Sequence, residues 1–209
     1  MLRNWHHEPS LRRALAAATG IILLLAGTPA GATGETYAID KDHTNVSFSW
    51  DHLGLSRQSG RILECEGKLD FSLTDPETAS IDVVLRTVSI ATGVTALDKL
   101  LKSADFFDAA RHPTITFKST AIKRTSDKTG EVVGELTIMG VAKPVKLDVT
   151  WNFTGEHPLA ALNPNYKDKF VSGFSAEAHI KRSEWGLTRG LPLVSDDVRV
   201  TIETELLRK

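Results

Sequence analysis

The chain has 209 residues, with 25 basic and 26 acidic side chains and a formal net charge of −1. The two signs are interspersed, so there is no basic footprint for a nucleic acid. The lone cysteine, Cys65, excludes an internal disulfide and any paired-cysteine haem attachment, and the length suits one domain with a sizeable core.

Taken in chain order, the first feature is a leader. Arg3, Arg12 and Arg13 precede an apolar run over 14–26 centred on Ile21 to Leu25, and Ala30-Gly31-Ala32 follows. A basic start, a short apolar stretch and a small-x-small site make up a secretory signal peptide. The run is shorter than the roughly 20 residues that span a bilayer. Residues 1–32 are therefore expected to be removed after Ala32, with Ala30 as the alternative. Residues 33–209 are then expected to form the working domain of an exported protein. Cys65 reads as a small buried hydrophobe.

Beyond the leader, apolar and polar residues alternate with period two, the mark of half-buried strands. A short strand is expected over 36–40. Over 43–53, Val46, Phe48 and Trp50 share one face. Gly54 and Gly60 bracket a turn or weak strand. A long strand over 61–73 carries Leu69, Phe71 and Leu73, with a bend at Gly67. Residues 79–90 follow, with Ile81, Val83 and Leu85 in phase. Ile115 and Phe117 lie in phase over 114–122. A polar tip over 123–130 leads to a strand over 131–139. The stretch 143–153 alternates most cleanly, placing Val145, Leu147, Val149, Trp151 and Phe153 together. A loop with Pro158 and Pro164 precedes the last strands, over 170–180 and 197–207.

One segment breaks the pattern. Val94, Leu97, Leu100 and Leu101 have helical spacing, with Thr92 or Thr95 available as a cap. Phe106-Phe107 follows, and Pro113 stops any helix before it. About eight strands with one short helix make an all-β protein. Such strands close into a barrel or split into two packed sheets, and an eight-stranded barrel is either filled by side chains or holds one slender ligand.

Catalytic signatures are missing: no Gly-x-Ser-x-Gly, His-Glu-x-x-His or phosphate-binding glycine loop occurs. Asp42 and His43 read as turn residues. Arg182 and Arg189 bracket Trp185, either around an anionic head group at a barrel mouth or as a plain seal over one end.

Several motifs, in order, carry a resemblance. They are Tyr37-x-Ile39-Asp40 with Asp42-x-x-x-Val46-x-Phe48, Ser89-Ile90-x-Thr92, and Asp98-x-x-Leu101-x-Ser103-x-Asp105-Phe106-Phe107-Asp108. His112-Pro113-x-Ile115-x-Phe117-x-Ser119-Thr120, Gly134-x-Leu136-Thr137-Ile138-x-Gly140-Val141-x-Lys143-Pro144-Val145, and Gly173-Phe174-x-Ala176 through Arg182-Ser183-x-x-Gly186 complete the series. Together they resemble the YceI-like family of exported polyisoprenoid-binding proteins, over essentially the whole chain after the leader. The resemblance implies an extended eight-stranded antiparallel, lipocalin-like barrel with a helix at its side. Its central apolar pore would hold an isoprenoid lipid, a polyprenyl quinone or polyprenyl phosphate, without catalysis, cofactor or metal.

On that reading the ligand is expected against Phe48, Trp50, Phe71, Val83, Leu85, Leu97, Leu101, Phe106, Phe107, Phe117, Phe174, Arg182 and Trp185. A homodimer is left open. An enzyme acting on such a lipid would need His43, Asp98 and Arg182 beside the cavity. A ligand-free interaction barrel docking to a membrane respiratory or stress-response partner would have a filled core. Two positions depart from the family pattern. Leu100 stands where the family usually has histidine, and Ile62 of Gly60-Arg61-Ile62 stands where it often has phenylalanine.

Overall fold

The structure, a computed structural model, describes residues 34–209; the leader and its cleavage site lie outside the described residues. Eleven strand segments form one antiparallel sheet. They are β1 (Glu35–Ile39), β2 (Asn45–His52), β3 (Ser56–Ile62), β4 (Cys65–Phe71), β5 (Ser80–Arg86), β6 (Ile90–Ala91), β7 (Thr114–Arg124), β8 (Thr129–Ile138), β9 (Val141–Glu156), β10 (Phe170–Lys181) and β11 (Val194–Arg208). The only α-helix among the described residues is α1 (Thr95–Lys102). The order is β1-β4-β5-β7-β8-β9-β10-β11-β2-β3-β6, and β1 also pairs with β11. That last pairing closes the sheet into a barrel. No helix among the described residues is long and apolar enough to cross a membrane.

Three of the eight barrel strands are interrupted. β1 and β2 lie end to end along β11, β4 and β3 continue one another beside them, and β5 and β6 follow next. Local hydrogen bonds produce the breaks. At 40–44 the Asp40 carboxylate accepts from the Asp42 amide at 3.0 Å and lies 2.9 Å from His43 Nδ1. An Asx turn of this kind competes with the ladder. At the second break the Glu64 amide donates to Ser89 Oγ at 3.0 Å, and Ser89 Oγ donates to the Arg86 carbonyl at 2.7 Å. Thr87, fully buried, donates its hydroxyl to the His112 carbonyl at 2.7 Å. The Thr87–Ser89 turn thus anchors both ends of the helical insertion to the barrel.

The sheet corrects four details of the sequence reading. The stretch from Gly54, read as a turn or weak strand, is a turn followed by a full strand, β3, which runs through Gly60 to Ile62 and survives as polar Ser-Arg-Gln-Ser because it is an edge. Along it only Arg61 and Ile62 pair with β6. The long strand breaks at Leu63-Glu64, not at Gly67, which stays in the ladder opposite Val83. Phe153 faces water: Phe174 pairs with Trp151 while Gly173 pairs with Phe153, so Asn152 is an extra residue that flips the parity. At the helix start no threonine hydroxyl caps an amide of the first turn. Instead Asp98 Oδ1 accepts from the Thr92 amide and hydroxyl, both at 2.6 Å. Those bonds, the hydroxyl's first, hold the Asp98 carboxyl below the usual aspartate range.

Close strand approach is decided at Gly134. A Cβ there would lie 2.3 Å from Phe117 Cζ and 2.6 Å from the Lys118 carbonyl oxygen. Gly134→Ala should therefore cost about 2 kcal/mol through forced β7–β8 separation. Thermal denaturation of the variant checks this, and an unchanged midpoint would show that Phe117 moves aside freely.

Candidate functional site

The alternation places one side chain in two inside the barrel, and the interior is not filled. A chamber of about 630 Å³ lies at the helix end. A second, of about 310 Å³, lies toward the end that carries the β7–β8 and β9–β10 connections. Val46, Leu85, Leu136, Ile180 and Val200 line both, so the chambers meet at a waist of five aliphatic side chains from β2, β5, β8, β10 and β11.

At the helix end the wall of Phe48 and Trp50 comes from β2, where i and i+2 face one way. Their rings stack with centroids 5.8 Å apart, and Phe48 lies flat on Gly60, whose Cβ would sit 2.6 Å from the ring. Beyond β3 the hydrogen-bonded wall continues only through the two residues of β6, and α1 with the segment after it lines the rest of the chamber. Leu97, Leu100, Leu101, Phe106 and Phe107 all face this chamber. The helix ends where Ser103 Oγ donates to the Leu100 carbonyl at 2.7 Å, and the Phe107 amide returns to the Leu101 carbonyl at 3.0 Å. These bonds bring the two phenylalanines back to the wall. A carboxylate at 107 would enter that apolar wall. Phe107→Asp should lose roughly 3 kcal/mol of stability; chemical denaturation reads the loss, and an unchanged midpoint would place the side chain in water.

At the far end Phe71, Val83, Phe117 and Phe174 line the smaller chamber. Phe71 makes edge contacts to Trp151 at 6.2 Å and to Phe174 at 5.8 Å. Cys65 also faces this chamber, and burial pushes its thiol up to about 11. Tyr37, beside Phe71, donates to Glu35 at 3.0 Å, and burial pushes its hydroxyl up to about 12.

Of the residues expected against the ligand, only Trp185 touches neither chamber. It is 1% exposed and packs in the core cluster with Val145 and Leu187. Its Nε1 donates to the Leu136 carbonyl at 3.2 Å. Arg182 borders the larger chamber, but its guanidinium is occupied. It donates to the carbonyls of Ser195 at 2.8 Å, Arg189 and Val194 at 3.0 Å each, and Leu187. Arg182 is thus a clamp on the β10–β11 connection, and burial lowers its pKa. Arg189 pairs with Asp105 across the mouth.

His43, Asp98 and Arg182 share no hydrogen-bond partner: His43 meets Asp40, Asp98 meets Thr92, and Arg182 meets backbone carbonyls. Of the five waist residues the sequence reading set only Leu85 against the ligand; it missed Val46, Leu136, Ile180 and Val200, and Leu100 on the helix. The waist residues follow the same alternation, and Leu100 follows Leu97 at i+3.

A family model described as YceI-like domain matches residues 37–206, from β1 to β11. A UPF0312 protein of Ectopseudomonas mendocina is 32% identical over 201 residues, which cover 95% of this chain and 100% of the relative. The crystal structure of a Campylobacter jejuni YCEI protein is 29% identical with TM-score 0.65, covering 76% of this chain and 90% of that one. A polyisoprenoid binding domain from Saccharophagus degradans is 14% identical with TM-score 0.58, covering 83% and 98%. That last likeness is one of fold.

Proposed function

Because the chain belongs to the YceI-like family, we propose that it is an exported carrier that holds the tail of an isoprenoid lipid inside its barrel. The observation that carries this reading is the pair of apolar chambers meeting at an aliphatic waist. A slender chain fits such a passage, whereas a compact ligand does not need two chambers. The structural neighbour described as a polyisoprenoid binding domain supports the same cargo. A tail that buries a few hundred Å² of apolar surface gains on the order of 10 kcal/mol before ordering costs, at about 25 cal/mol per Å². Binding of that kind asks for no reactive side chain. The leader pattern supports a periplasmic location. The family departures at Leu100 and Ile62 both fall on the larger chamber, which makes that wall less polar and less filled.

Native mass spectrometry and organic extraction of the purified protein test the proposal. A co-purifying polyprenyl quinone or polyprenyl phosphate is the expected result. Ligand-free preparations that also fail to take up either lipid would overturn it and favour an interaction barrel.

A further inference from the structure

The β2–β3 hairpin turns at Leu53 and Gly54, with φ of 61° and 68°. Two consecutive left-handed residues make the tight turn that matches strand twist, and Asn-Gly adopts it with least strain. Leucine is disfavoured there, because its Cβ crowds the following carbonyl and it has no short polar group to compensate. The same turn also exposes apolar surface: Leu53 is 45% exposed and Leu55 81%. The Leu53 amide donates to the Leu193 carbonyl at 2.9 Å, which ties the tip to the β10–β11 connection, where Leu193 is 67% exposed. The adjoining residues, His52 and Val194, line the larger chamber. Turn geometry and solvation both argue against leucine here, so three leucines on one rim of the mouth call for another explanation.

We infer that this rim is the surface by which the barrel touches a lipid bilayer, setting the helix-end mouth against the membrane. The inference rests on the proposed lipid cargo. Three loop side chains fall far short of the roughly 800 Å² per partner that a stable protein interface buries. A bilayer requires no shape complementarity and accepts a few apolar tips at its interface. The rim is also continuous with the chamber, so a lipid passing between membrane and barrel need not cross water. Charge does not drive the contact: Arg57 and Arg189 stand near the rim, but Asp51 is there too and Asp105 pairs with Arg189. At the opposite end Leu73, Leu159 and Leu162 are exposed as well. There Leu73 borders the smaller chamber, but Lys123, Arg124, Asp127 and Lys128 border it too, so that mouth is ringed by charge.

The test places a polarity-sensitive fluorophore on the full chain at Leu55→Cys or, as a control at the far end, at Leu162→Cys. The native thiol of Cys65 is buried and protonated, so it competes poorly for the label. With phosphatidylcholine vesicles, the label at 55 should shift to the blue and brighten with little dependence on salt, while the label at 162 stays unchanged. The combined variant Leu53→Asn, Leu55→Ser, Leu193→Ser should partition onto the vesicles about tenfold more weakly. Its melting temperature should not fall, because asparagine suits the turn, and its uptake of polyprenyl lipid from detergent solution should match the parent. A silent label at 55, a response at 162 instead, or unchanged partitioning of the combined variant overturns the docking surface. Lipid uptake with a silent label at 55 would refute docking alone. A responding label on a chain that takes up no polyprenyl lipid would refute the cargo alone.

Discussion

Arg182→Met should lower the melting temperature by roughly 6–12 °C, corresponding to about 3 kcal/mol in a domain of this size. The residue is buried and donates to four backbone carbonyls between Leu187 and Ser195. Methionine keeps much of the length and apolar contact but returns none of the bonds, leaving several carbonyls without a donor. Water reaching them would have to open the connection over the mouth. Arg182→Lys should recover only part of the loss, since one ammonium cannot span carbonyls arranged around a planar fork. Calorimetry of the three proteins decides the matter. A melting temperature within 2 °C of the parent for Arg182→Met would mean that the connection is held by other contacts, such as the Asp196 carboxylate on the Ser183 amide and hydroxyl at 2.8 and 2.7 Å.

Ala176→Trp should abolish most lipid binding while leaving the barrel at least as stable. Ala176 lies on β10 opposite Val149 and Ile202, facing the chamber of about 310 Å³. An indole there takes the space that a tail would occupy. Losing about 100 Å² of buried tail corresponds to about 2.5 kcal/mol, or roughly a hundredfold in affinity. Filling a cavity removes apolar surface from water, so the melting temperature should hold or rise. Lipid titration followed by fluorescence, paired with thermal denaturation, separates the two effects. Full affinity in this variant would restrict the tail to the larger chamber.

Much of the fold was legible because a barrel strand reports its own geometry. Val145, Leu147, Val149 and Trp151 alternate because one face of β9 meets the interior and the other meets water. The leucines of α1 were equally plain, since a period near 3.6 stands out against a period of 2. β3 was hard to recognise, because an edge strand is protected by polar residues and carries no apolar stripe. Phe153 was misplaced because one extra residue reverses every later side chain, and the bulge at Asn152 has no local sequence signal.

The candidate site divides in the same way. The aromatic linings of the two chambers, Phe48 with Trp50 at the helix end and Phe71 at the far end, came from periodicity, and the motif series pointed to their purpose. Trp185 could not be assigned by either route. A tryptophan after a strand looks the same in sequence whether it roofs a pore or fills the core, and only the neighbours that tertiary packing brings to it distinguish the two. Arg182 was ambiguous for a related reason: its partners are carbonyls, and any residue type supplies those.

By itself the sequence determined the class of fold, the place of the helix and the apolar character of the interior, because these follow from local periodicity and composition. Tertiary structure alone decided that the interior is open in two chambers, and that β2, β5, β8, β10 and β11 meet at its waist. Cavity volume depends on how side chains far apart in the chain meet across the barrel, and no window of sequence contains that distance.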